Sequence, residues 1–298
     1  MLNSMRPVDV FGVQSGIGGH TLGTEKGPTA LRDSGLMEWL GGGAAWHDVG
    51  DAGETRIMPE NLIIKSIARI CRDLAQGVER AVRADRSVLA LGGDHSCAIG
   101  TWSGIANALE GGPLGLVWID AHMDSHTPDT TPSGNLHGMP VAHLLGRGAR
   151  PLVEIARRPP AVRPEHLALV GVRSFEPEEP ALMRELGVRV FAMDEIAARG
   201  LAAVMDEALA IAARATAAHG ISIDLDAIDP VDVPGTGSPV EDGLDAGALI
   251  GSLAGLAGRP QLVAIEIAEF NPMLDKDGVT LGLMRRLIES AYGTAAPA

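Results

Sequence analysis

The chain is poor in aromatic residues, cysteine and positive charge, and has no long apolar run. Nine aromatics among 298 residues are too few for a platform on which bases stack. Cys71 and Cys97 are its only cysteines. They form no CxxC pair and no disulfide framework, which fits a reducing compartment. Lys and Arg number 24 against 38 Asp and Glu, a formal net charge of −14. A nucleic-acid binder needs a basic footprint, and the densest basic stretch is the pair Arg157-Arg158 beside Pro159. No segment approaches the ~18 consecutive apolar residues that cross a bilayer. The opening MLNSMRPVDVFGVQ lacks the blocks of a secretory signal. These absences predict a soluble, cytoplasmic protein with neither nucleic-acid nor membrane partners. The acidic excess suits a cationic substrate.

What is present is a regular alternation. Hydrophobic residues make up 46 % of the chain, which excludes a disordered polymer. Near-continuous apolar runs at 8–13, 88–91, 114–119, 167–172, 188–192, 221–225 and 262–268 read as strands buried on both faces. Between them, Ile63, Ile67, Ile70, Leu74, Val78 and Ala81 recur at helical spacing within 61–83. The Ala-rich segment 201–218 reads as a helix stopped at Gly220. Strand and helix in repetition predict one α/β domain over residues 1–298, with helices on both faces of a parallel sheet. The loops 121–140, 173–181 and 226–243 each follow a strand, where open α/β sheets bind ligands. The GIGGHTLG stretch at 16–23 lacks GxGxxG spacing and reads as a plain flexible connection.

Three apolar runs end in polar clusters: Gly92-Gly93-Asp94-His95-Ser96, Asp120-Ala121-His122-Met123-Asp124, and Asp224-Leu225-Asp226-Ala227-Ile228-Asp229-Pro230. A lone DxD or a lone histidine is more often a cap or a turn. In extended chain, residues two apart face one way. Asp120, His122 and Asp124 would then face one way, and so would Asp224 and Asp226. If the strands are neighbours, two imidazoles and four carboxylates converge. Four carboxylates at close range repel unless cations sit between them. Two divalent ions would balance them, and an oxygen-rich donor set without thiolate favours manganese over zinc.

GGDHS, DAHMD and SIDLDAIDP, in this order and spacing, resemble the motifs of the ureohydrolase superfamily, which holds arginases, agmatinases, guanidinobutyrases and formimidoylglutamases. The resemblance runs from GTEKGPTALR at 23–32 to Asn271-Pro272. It implies a three-layer α/β/α fold with a central, mostly parallel sheet, two Mn2+ per chain, and a homotrimer or homohexamer. Carried over by position, it makes His95, Asp120, Asp124 and Asp224 ligands of one ion and Asp120, His122, Asp224 and Asp226 ligands of the other. The shared water would ionise at neutral pH and attack a guanidinium carbon. Asp94 and Asp229 fall outside the ligand set and read as supporting or turn residues.

The loop Thr130–Gly138 (TTPSGNLHG) is similar to the arginase loop that holds an amino-acid carboxylate. The match implies that Thr131, Ser133 and Asn135 contact the carboxylate and that His137 shuttles protons. Glu269 matches the glutamate that pairs with the guanidinium, with Asp124 counted in the catalytic set beside its ligand role. Glu266 has no evident place. Two positions depart from arginases: His126 stands where they carry asparagine, and Glu176 where they carry the aspartate that binds the α-amino group. The resemblance thus implies a manganese-dependent hydrolysis of L-arginine to ornithine and urea. The alternatives are a guanidinobutyrase or other guanidino-acid ureohydrolase, and a catalytically silent metal-binding paralogue.

Overall fold

The computed structural model describes residues 6–41, 43–50 and 59–293. Eight strands form one sheet: β1 Val8–Gln14, β2 Ala45–Gly50, β3 Ser87–Leu91, β4 Leu114–Ile119, β5 Leu167–Val172, β6 Arg189–Ala192, β7 Ala218–Asp224 and β8 Leu262–Ala268. Their order is β2-β1-β3-β8-β7-β4-β5-β6, and every pairing is parallel. Alternate residues of each strand feed opposite cores, as a period of two requires. On β4, Leu116 and Trp118 meet Ile67, Leu74, Val78 and Trp102 from helices Glu60–Arg83 and Ala98–Ala108. Val117 and Ile119 join the other core, with Val204, Leu249 and Leu287 from helices Leu201–Ala213, Ala246–Leu253 and Val279–Tyr292. The architecture is the expected α/β/α arrangement. Among the described residues no helix is long and apolar enough to cross a membrane.

The strand order is what builds the site. β3 and β4 follow one another in sequence yet lie apart, with β8 and β7 between them. The carboxyl ends of β3, β8, β7 and β4 therefore stand side by side, and the chain reverses its direction of growth there. Crevices of this kind bind ligands in open α/β sheets.

Three expectations need correction. β2 was not anticipated. It is an edge strand of sequence AWHDVG with mixed exposure, so it shows no apolar run. The Ala-rich helix stops at Ala213, and residues 218–220 are the start of β7. Gly220 is no helix stop: it lies within the strand because a Cβ there would collide with the buried Trp102 indole. Finally, the GIGG stretch is docked against its surroundings. The Gly18 N–H donates to Asp94 at 3.0 Å, and its carbonyl accepts the His137 N–H at 3.1 Å. A side chain at Gly18 would press on Ser96 Oγ at 2.8 Å.

Candidate active site

Each polar cluster leaves its strand through a short turn that its own carboxylate stabilises. After β3, Asp94 caps the turn His95–Cys97 by accepting the Ser96 N–H at 3.0 Å. After β7, Asp224 caps Leu225–Ala227 by accepting the Asp226 N–H at 2.8 Å. After β4, Asp120 accepts the His122 N–H at 2.7 Å. Such caps are worth about 1 kcal/mol each. The predicted i, i+2, i+4 alternation does not do the converging, because the strands end first. Asp124 instead sits in the left-handed region at φ 49°, and so does Glu269 at φ 67°. For residues other than glycine that conformation costs roughly 1–3 kcal/mol and clusters at functional sites.

The six predicted ligands meet. His95 Nδ1 lies 3.4 Å from Asp120 Oδ2, 3.3 Å from Asp124 Oδ2 and 3.2 Å from Asp224 Oδ2. His122 Nδ1 lies 3.4 Å from Asp120 Oδ1 and 3.1 Å from Asp226 Oδ2. Donors about 2.1 Å from one ion, 90–110° apart, stand roughly 3.0–3.4 Å from each other. Both groups meet that spacing, and Asp120 offers one oxygen to each. Asp224 stands with the His95 group. His95 Nδ1 and Asp124 Oδ2 are buried without a hydrogen bond, a costly condition that a cation between them removes. The donor set fits a pair of divalent ions.

Electrostatics point the same way. Burial, and then the charge of neighbouring aspartates, pushes Asp124 up to about 8 and raises Asp224 well above the carboxylate range. Burial also works against Asp120, but His122 and His95 outweigh it and hold its carboxyl low. Burial would discharge His95; the carboxylates of Asp120, Asp124 and Asp224 instead raise its pKa well above the ordinary value. Left to themselves, these carboxylates cannot all ionise together.

Support for His95 comes from Ser222 and Trp118, which the sequence did not single out, and from Glu266. Its Nε2 lies 2.9 Å from Ser222 Oγ, which donates to the fully buried Glu266 at 2.8 Å. Trp118 stacks on the imidazole at 4.1 Å between centroids and donates Nε1–H to Asp120 Oδ2 at 2.9 Å. Glu266 thereby gains its place at the end of a relay that fixes the ring. The legible signal was spacing: Trp118 lies two residues before Asp120, and Ser222 two before Asp224. Asp229 accepts the Val231 and Gly243 N–H groups and is a turn residue.

A cavity of about 160 Å³ opens over the cluster, lined by His122, Asp124, Asp224 and Asp226 at its floor and by Ser133, His137, Glu176 and Ser238 among its walls. A larger one, about 550 Å³, borders Arg157 and Arg163 and contains none of these residues. Ser133, His126 and Glu176 line the smaller cavity; Thr131, Asn135 and Glu269 do not. Thr131 Oγ1 instead accepts the Gly134 N–H at 3.0 Å, closing the turn that presents Ser133. Glu269 is buried beside His137, where its Oε1 meets His137 Nδ1 at 3.0 Å and accepts the His95 N–H at 2.8 Å. Burial opposes the charge on both partners. Their mutual attraction prevails, lifting His137 to about 9 and lowering Glu269. Ser238, within the 226–243 loop, carried no signal of its own.

The Arginase family profile matches residues 6–293. The chain belongs to the arginase family. It is a ureohydrolase of a metal-dependent family. It is 36 % identical to the arginase of Bacillus caldovelox, over 97 % of this chain and 99 % of that protein. Its structure superposes on that of the B. caldovelox arginase with a TM-score of 0.90, covering 98 % of this chain and 100 % of the other. The Entamoeba histolytica arginase, solved in complex with L-ornithine, aligns with a TM-score of 0.89 at 26 % identity, over 97 % and 98 % of the two chains.

Proposed function

We propose that this chain hydrolyses L-arginine to L-ornithine and urea and works with two manganese ions. The observation that carries the reading is the meeting of two imidazoles and four aspartates beneath a cavity whose far wall holds Ser133 and Glu176. His95, Asp120, Asp124 and Asp224 would hold one ion, and His122, Asp226 and the shared Asp120 and Asp224 the other. Bound there, such a pair would supply a nucleophilic oxygen at neutral pH and stabilise the tetrahedral intermediate formed at the guanidinium carbon.

The side chains divide the remaining work. Ser133, at the cavity wall, receives the substrate carboxylate, with Thr131 and Asn135 shaping its loop. Glu176 receives the α-ammonium, with His126 beside it. Asp124 belongs to floor and catalytic set together. Glu269, anchored through Oε1 beside the cavity-lining His137, would accept from the guanidinium through Oε2. A carboxylate accepting from a guanidinium makes a strong, directional contact. His137, held protonated by Glu269, donates a proton to the departing amine and recovers it from solvent, which its 17 % exposed side chain reaches.

Two features favour arginine over a guanidino acid without an α-amino group, such as 4-guanidinobutyrate. Glu176 places a carboxylate at the cavity wall, and the named relatives are arginases. Urea release by the manganese-loaded protein should be highest on L-arginine in a panel with agmatine, 4-guanidinobutyrate and formimidoylglutamate. Preference for 4-guanidinobutyrate refutes the arginine assignment, and no turnover of any member points to the silent paralogue.

A further inference from the structure

His126 sits at the substrate end of the cavity, yet both of its ring nitrogens are already engaged by protein. Nε2 lies 2.9 Å from Glu176 Oε2, and Nδ1 lies 3.2 Å from Thr130 Oγ1. The Thr130 hydroxyl accepts the Thr127 N–H at 2.9 Å and also lies 3.5 Å from the Thr127 carbonyl. A carboxylate only accepts, so Nε2 carries the hydrogen and donates it to Glu176. The imidazole side chain is 8 % exposed, whereas that of Glu176 is 52 % exposed. One end of this pair is therefore fixed and the other faces solvent and cavity.

Behind them stands Glu179. It accepts the Ser125 N–H at 3.0 Å and the Glu176 N–H at 3.2 Å, and its Oε2 lies 3.5 Å from His126 Nε2. The segment after β4 and the segment after β5 are thus tied together at this point. The oxygen held by the imidazole is Glu176 Oε2, on a side chain that is otherwise half exposed. A half-exposed glutamate otherwise samples many rotamers, and a ligand that needs one of them must bear the ordering cost.

We propose that His126 is a positioning residue for substrate selection: it acts through Glu176, holding Oε2 so that the carboxylate is presented to the α-ammonium of an amino-acid guanidine. This rests on the arginine reading above and adds the device that makes Glu176 selective. Glutamate is longer than aspartate by one methylene, and the imidazole restrains the freedom that methylene introduces. The pair discriminates at the amino-acid end of the substrate and takes no part in the chemistry at the guanidinium.

The test uses manganese-loaded wild-type protein and the variants His126→Ala, His126→Gln, Glu176→Ala and His126→Ala/Glu176→Ala. Steady-state urea release is measured on L-arginine and 4-guanidinobutyrate. Inhibition is measured with L-ornithine and with 5-aminopentanoate, which is ornithine without its α-amino group. His126→Ala should raise KM for arginine about five- to tenfold, as the loss of one pre-ordered contact does, with kcat nearly unchanged. It should also weaken ornithine relative to 5-aminopentanoate by the same factor. KM for 4-guanidinobutyrate should stay put. His126→Gln, whose amide reaches the Nε2 position, should recover most of the loss. Adding His126→Ala to Glu176→Ala should cost nothing further. Equal losses on both substrates, or additive losses in the double variant, overturn the proposal. A wild-type protein that turns over 4-guanidinobutyrate in preference to arginine refutes the underlying reading before any variant is made.

Discussion

His143 gives the structure an acid limit that can be worked out in numbers. It lies in the helix Pro140–Leu144 that follows the His137 loop, and it is buried. Its Nδ1 donates to the Met139 carbonyl at 2.8 Å, and its Nε2 accepts the Ala149 N–H at 3.0 Å. That geometry admits only the neutral ring. A proton on Nε2 would face the Ala149 N–H, and no carboxylate pairs with the imidazole. Burial accordingly lowers its pKa from 6.5 to about 4, with the Met139 hydrogen bond as a smaller opposing effect. The folded pKa is depressed, so in the window between about 4 and 6.5 the unfolded chain binds the proton and the folded chain does not. The stability this group confers is whole above about pH 6.5 and is lost as pH falls toward 4. The shift corresponds to about 3 kcal/mol in full, of which about 2 kcal/mol is lost by pH 5. Urea melts at pH 7.5 and pH 5.0 should show that loss in the wild type. In His143→Gln, which can still accept from Ala149, the loss should be smaller by about 2 kcal/mol. The comparison between the two proteins cancels the pH dependence of every other group. Equal acid sensitivity in both would refute the reasoning.

Two predictions bear on the site itself. Elemental analysis after manganese loading should give two equivalents per chain, and Asp120→Ala, which removes an oxygen from each donor group, should lose both; one equivalent with full activity would exclude the paired site. His137→Ala should keep its metal while turnover falls roughly 10²–10⁴-fold, the usual contribution of a general acid–base; added imidazole should restore part of it, and loss of metal instead would place His137 in the donor set.

The donors were readable because each closes an apolar strand, where a sequence of that kind gives a local signal that survives without the fold. Asp120 follows Ile119 directly, and Asp224 follows Ile223. What sequence periodicity got wrong was the geometry beyond them. Asp124 enters the site through a left-handed backbone, which no pattern of alternation encodes. Gly220 looked like a helix stop because its partner, the Trp102 indole, comes from a helix more than a hundred residues earlier. Thr131 and Asn135 matched a motif, yet from that loop Pro132, Ser133, His137 and Gly138 line the cavity. Ser222 donates to Glu266, which also accepts the Trp102 indole N–H, and their value is visible only when β7 and β8 are side by side. The readable part was local, and the unreadable part depended on strand order.

That order also makes ion binding inseparable from folding. His95 and Glu269 are joined by a hydrogen bond across 174 residues, and His95 and Ser222 across 127. Closing loops of this length costs only slightly more entropy than closing shorter ones, since the penalty grows with the logarithm of length. The cost is recovered only when β7 and β8 enter between β3 and β4 and complete the buried cores on both faces. Until then, none of the four aspartates has a nearby imidazole from another strand, and an unfolded chain offers nothing like the paired donor groups. Ions that bind the native state alone add stability by mass action, about 1.4 kcal/mol for each tenfold excess over the dissociation constant. The same ions remove the mutual repulsion of Asp120, Asp124, Asp224 and Asp226, which opposes the final insertion. The interior of the sheet therefore supplies the stability, and the strand ends, where carboxylates crowd at its expense, supply the chemistry.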